Sequence, residues 1–165
     1  MRLSRILSAL LLVVFAGYGY LSLAYVPQQV TAADRINLVE RPSDVGLAYE
    51  DILLRPAQED LKLDGWWMPA DNSKAVLVFI HGAGSGRHST FFNSLDFYAG
   101  MVKNGISVVA IDLRNHGTSD GDASGLQYGR TESADALAAI AWAREHNPEK
   151  PVYAMGISMG GATVI

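Results

Sequence analysis

The chain has no cysteine, which excludes disulfides, a thiol nucleophile and any cysteine-ligated metal site. Basic charge is scarce: 13 Lys and Arg stand against 17 Asp and Glu, for a net charge of −4. Two of those basic residues, Arg2 and Arg5, precede an apolar segment, so the remainder is more acidic still. No cluster of Lys and Arg with interleaved aromatics occurs, which removes a nucleic-acid footprint. Internal repeats and low-complexity tracts are missing as well. What is present is 49% hydrophobic residues in 165 positions, ordinary for about one domain with a packed core plus one greasy segment.

The greasy segment comes first. Met1-Arg2-Leu3-Ser4-Arg5 is a short basic start, and Ile6 to Val26 follows without a charged residue. That run is about 21 residues and spans roughly 30 Å as a helix, the thickness of a bilayer core. Tyr18, Tyr20 and Tyr25 lie towards its far end, as an interfacial belt would, and Pro27 is expected to end the helix. The run is longer than a signal-peptide core, which favours an uncleaved anchor over residues 1–27. Ser22-Leu23-Ala24 supplies the cleavage site of the alternative, a secreted product. The basic flank favours a cytoplasmic N-terminus, which puts the rest on the outer, periplasmic or extracellular, side. Residues 28–44 read as a polar tether, and residues 45–165 as the globular part.

Within that part, Leu47 to Leu54 and Leu61 to Met68 read as strands joined by a hairpin loop at Gln58-Glu59-Asp60. Trp66 and Trp67 suit core packing. Ala75 to Ile80 and Ile106 to Ile111 are continuous apolar runs, as expected of strands buried on both faces. Ser89 to Lys103 carries Phe92, Leu95, Ala99 and Val102 at helical steps and closes on Asn104-Gly105. Glu132 to His146 is a second helix, with Ala134, Leu137, Ile140 and Ala141 expected inward, and Pro151 opens a last strand. Strands alternating with helices imply a mostly parallel α/β sheet, whose functional loops gather at the C-terminal strand ends.

Three loops fall there. His81-Gly82-Ala83-Gly84-Ser85-Gly86 follows one strand; its spacing is not that of a P-loop and no lysine follows. It suits instead a loop whose backbone amides face a substrate oxygen. Asp112 to Gly121 follows the next strand. Gly156-Ile157-Ser158-Met159-Gly160 follows the last and precedes a helix start. Strand, G-x-S-x-G, helix is the context of a nucleophile elbow: the serine is held out above the sheet at a tight turn, and glycines leave room where strand and helix nearly collide.

Taken together these motifs resemble the α/β-hydrolase superfamily over about residues 45–165. Leu63-Asp64-Gly65-Trp66-Trp67-Met68-Pro69 is similar to the second strand of the branch containing serine-aminopeptidase-like and monoacylglycerol-lipase-like hydrolases. The resemblance implies Ser158 as nucleophile and the backbone amides of Ala83 and Met159 as oxyanion donors, with Gly82 or Gly84 as alternatives and His81 in support. It implies that Arg114, His116 and Asp120 brace their loop. No metal and no organic cofactor is called for, and the partner is a small-molecule ester or acyl substrate.

In this fold the acid and the catalytic histidine follow the nucleophile. His81, His88, His116 and His146 all precede Ser158, so the sequence reads as the N-terminal portion of such a hydrolase, with the triad acid and histidine missing. Three functions compete: a membrane-anchored serine hydrolase acting on carboxylic esters, or amides, through an acyl-enzyme; an inactive fragment or pseudo-enzyme; and a membrane-tethered binding module on the same sheet.

Overall fold

A computed structural model describes residues 2–32, 35–36, 39–57 and 59–165. Met1, Gln58 of the expected hairpin loop, and Ala33, Asp34, Asn37 and Leu38 of the expected tether lie outside the described residues. The chain divides into two compact units, Met1–Ala32 and Ala33–Ile165.

The first unit is helical. Helix α1 (Arg2–Tyr20) passes through a π-helical turn, Leu21–Tyr25, into α2 (Val26–Thr31). Pro27 therefore does not end the helix, contrary to the sequence expectation. A proline has no N–H to give and crowds the carbonyl four residues back. The widened turn just before it, in which the Val26 N–H bonds back to the Leu21 carbonyl, absorbs the mismatch. Leu3–Thr31 has a mean hydropathy of 2.1 and exposes its apolar side chains throughout, so by length and composition it is able to cross a membrane.

The second unit is built on one sheet of order β1-β2-β4-β3-β5. Its strands are β1 (Glu50–Leu54), β2 (Leu63–Met68), β3 (Ala75–Ile80), β4 (Ile106–Ile111) and β5 (Val152–Gly156). β3 runs parallel to β4 and β5, whereas β2 is antiparallel to both β1 and β4. The sheet is thus evenly mixed rather than mostly parallel. β1 and β2 are joined by a short loop and pair antiparallel, β3 reaches its parallel neighbours through crossovers, and β2 runs opposite to β3 and hence also to β4, which lies between them. The crossovers are α3 (Ser94–Lys103) between β3 and β4, and α4 (Glu132–His146) between β4 and β5.

Alternation along β3 and β4 makes two cores. Val76, Val78, Ile80, Val109 and Ile111 face α4, and Phe79, Val108 and Ala110 face α3 with Leu95 and Tyr98. Trp66 is buried on the α3 side beneath the Arg87 guanidinium, 4.9 Å from its ring, and Trp67 meets Trp142 edge-on.

Two helix expectations need correction. α3 begins at Ser94, five residues late, because Asn93 adopts a left-handed conformation (φ 49°) that breaks the helix. α4 turns Glu132, Asp135, Ala136, Ala139 and Ala143 inward and leaves Leu137 64% exposed. Alanines let the helix backbone approach the sheet closely, and the two acids are buried because partners meet them there. Glu132 accepts the Gln127 and Gly129 N–H groups, and Asp135 holds Arg114.

Candidate active site

β5 ends at Gly156, and α5 (Met159–Thr163) begins three residues later. Ser158 stands between them at φ 52°, ψ −118°, exposed, in a conformation that non-glycine residues rarely adopt. The flanking glycines are what permit the turn. A Cβ on Gly156 would lie 2.0 Å from the Gly160 carbonyl oxygen, and one on Gly160 would lie 2.3 Å from that of Ile80. Strand and helix touch through bare backbone, as the elbow pattern requires.

The loop after β3 approaches the same serine. A Cβ on Gly82 would lie 3.2 Å from the Ser158 Cβ. His81, Gly82, Ala83 and Gly84 border one cavity of about 490 Å³ with Ser158, within the range of small-molecule sites. Met159 sends its side chain into the α4-side core. Its amide opens a helix, where backbone N–H groups have no intrahelical partner.

His81 is fully buried. Its Nε2 accepts the Leu113 N–H at 3.0 Å, so Nδ1 carries the proton and donates to the Gly82 carbonyl at 2.7 Å. Burial first, then the neighbouring His116 ring 4.7 Å away, pull its pKa down to about 3. It is a neutral clamp between the β3 and β4 loops. Burial also lowers His116, whose Nδ1 donates to the Arg114 carbonyl at 2.8 Å. His88 meets Glu40 at 3.4 Å, and His146 stacks on Trp142. Among the described residues no histidine is hydrogen-bonded to Ser158.

The Asp112–Gly121 loop is braced from several directions. Arg114 is buried against Asp135 (2.7 Å) and reaches Glu59 (2.8 Å). Burial disfavours its charge, but the bonds to the two carboxylates outweigh that and raise its pKa. Asp120 accepts the Lys62 N–H at 2.9 Å. The sequence reading passed over Asp112, which is fully buried and accepts the Arg87 N–H at 2.6 Å and the Thr118 N–H at 3.1 Å. It ties the β3 loop to its own. Its position at the end of a buried strand was the available signal.

A mixed sheet of order β1-β2-β4-β3-β5, with a strand–serine–helix elbow at the end of β5, defines an α/β-hydrolase fold. The sequence profile of the family "Serine aminopeptidase, S33" matches residues 71–165, and the chain belongs to that family. It is 33% identical to the monoglyceride lipase of Rattus norvegicus over 101 residues, which is 61% of this chain and 32% of that protein. The Pyrococcus furiosus esterase Pf2001 superposes with a TM-score of 0.70 at 29% identity, over 80% of this chain and 50% of that one. The α/β hydrolase GrgF from Penicillium sp. sh18 superposes at 0.60 and 25% identity, over 70% of this chain and 39% of that one. The chain thus spans about a third of the length of the curated relatives it matches.

Proposed function

We propose that the whole protein is a serine hydrolase acting on carboxylic esters of small molecules, with Ser158 as nucleophile. The carrying observation is the strained, exposed Ser158 at the border of a cavity shared with Gly82 and Ala83. Its Oγ attacks the ester carbonyl; the amides of Ala83 and Met159 stabilise the tetrahedral oxygen; the alcohol leaves and water releases the acid from the acyl-enzyme. The proton acceptor is a histidine that follows Ser158 in the whole protein. This is supported by His81, the histidine bordering the same cavity as Ser158 on the loop after β3, which is neutral and saturated at both ring nitrogens. The esterase and lipase relatives make ester hydrolysis the natural reaction class.

The N-terminal helix is proposed to anchor the protein in a membrane, with the catalytic unit on the outer side. Arg5 and the 29-residue apolar length support that reading.

The test is Ser158→Ala in the whole protein. Ester turnover is expected to fall by about a thousandfold or more with the fold unchanged. Residual turnover within about tenfold of the parent removes Ser158 from the role and favours a binding module or pseudo-enzyme.

A further inference from the structure

The loop after β3 supplies one wall of the cavity beside Ser158. Between His81 and Arg87 it reads Gly-Ala-Gly-Ser-Gly. Glycine brings little conformational preference of its own. Gly84 stands at φ 61°, and nothing lies within 4 Å of where its Cβ would be. The place of the Ala83 amide is therefore set by what holds the two ends of this stretch.

His81 holds the near end, through Leu113 and Gly82. Arg87 marks the far end, and its backbone is held on both sides. Its N–H donates to Asp112 Oδ1 at 2.6 Å, and its carbonyl accepts the Tyr98 O–H at 2.8 Å. Its guanidinium lies over the Trp66 ring and meets Asp112 Oδ2 at 3.3 Å. The two holding side chains come from different elements. Asp112 directly follows β4, where its own N–H bonds the Asp64 carbonyl at 2.9 Å, and Tyr98 lies within α3. Both are fully buried, which is costly for a carboxylate and a phenol unless they are bonded. Both Asp112 oxygens and the Tyr98 hydroxyl reach Arg87.

We infer that Asp112 and Tyr98 are positioning residues for the reaction: by pinning Arg87 they fix the glycine stretch, and with it the Ala83 amide that stabilises the tetrahedral oxygen. The inference rests on the reading of Ser158 as nucleophile and of Ala83 as an oxyanion donor. Neither side chain borders the cavity, so both act through the loop. A misplaced donor weakens the transition state and leaves ground-state binding alone.

The test compares Tyr98→Phe, Asp112→Asn and Asp112→Ala in the whole protein. Turnover of a short-chain p-nitrophenyl ester is measured together with inhibition by phenylboronic acid, which adds to a nucleophilic serine as a tetrahedral mimic. Tyr98→Phe removes one hydrogen bond and keeps the ring; Asp112→Asn keeps an acceptor for the Arg87 N–H and loses the charge. Each is expected to lower kcat by about tenfold, and Asp112→Ala by about a hundredfold, with KM within about twofold of the parent. Inhibition by phenylboronic acid is expected to weaken in step with kcat. Ala139→Leu, a change in the core away from the loop, serves as the control for lost stability and is expected to keep kcat within about twofold. Should Asp112→Ala fail to fold, Tyr98→Phe and Asp112→Asn decide. Parent-like kcat and inhibition in those two, a rise in KM with kcat kept, or an equal loss of kcat in Ala139→Leu overturns the positioning role while leaving Ser158 in place. Turnover retained by Ser158→Ala overturns the nucleophile reading, and the positioning role with it.

Discussion

Ser158 occupies a backbone conformation that costs about 1–3 kcal/mol and persists only where its surroundings over-determine it. Those surroundings are glycines 156 and 160, packed backbone to backbone, and the β3 loop clamped by His81. The clamp makes a prediction about acid. His81 ordinarily titrates near 6.5 and is held at about 3 in the fold, so the unfolded chain binds the extra proton throughout the interval between. Stability is then unaffected by His81 above pH 6.5 and falls as the pH drops from there towards 3, by roughly 1.4 kcal/mol per unit. His116, lowered in the same direction, adds to the slope. Urea unfolding at pH 7 and pH 4.5 is expected to show the loss, and His81→Asn, whose amide keeps one donor and one acceptor, to reduce it. Parallel declines in parent and variant would contradict the assignment. At this scale the serine and its glycines were legible because a short motif carries them. Asp112, Glu132 and Asp135 were not: an acid reads as surface until the N–H groups and guanidinium that bury it arrive from distant loops.

At the scale of elements, the strands were the most legible. β3 and β4 are continuous apolar runs between turn residues, and their observed bounds match the expectation residue for residue. The helices were less so. α4 is rich in alanine, and an alanine stripe gives no contrast between faces, so Leu137 drew the inward assignment that belongs to Ala136, Ala139 and Ala143. The corrected face is testable. Ala139 is fully buried, so Ala139→Leu is expected to overpack the helix–sheet contact and cost about 1–3 kcal/mol. Leu137→Ala, at an exposed position, is expected to cost less than about 0.5 kcal/mol. Chemical denaturation of the two variants decides it, and a larger loss for Leu137→Ala would restore the original face. The π turn before Pro27 was invisible for a different reason: a proline usually signals a helix end, and only the backbone shows the turn that accommodates it.

For the whole molecule, composition set apart the apolar N-terminal helix and the α/β unit, and the unit boundary falls between Ala32 and Ala33. The sheet's mixed direction needed the strand order, which apolar patterning does not encode. The anchor proposal predicts that the protein sediments with membranes, resists carbonate extraction and exposes its α/β unit to protease added from outside. A soluble product whose N-terminus lies at Tyr25 would instead identify a cleaved signal. The central claim, however, is chemical, and one measurement addresses it most directly. The whole protein is treated with a fluorophosphonate, digested, and the modified residue mapped by mass spectrometry. The account predicts a single adduct on Ser158, absent when the protein is unfolded before treatment. An adduct on another serine, or an unmodified Ser158 in folded protein that hydrolyses esters, would contradict it.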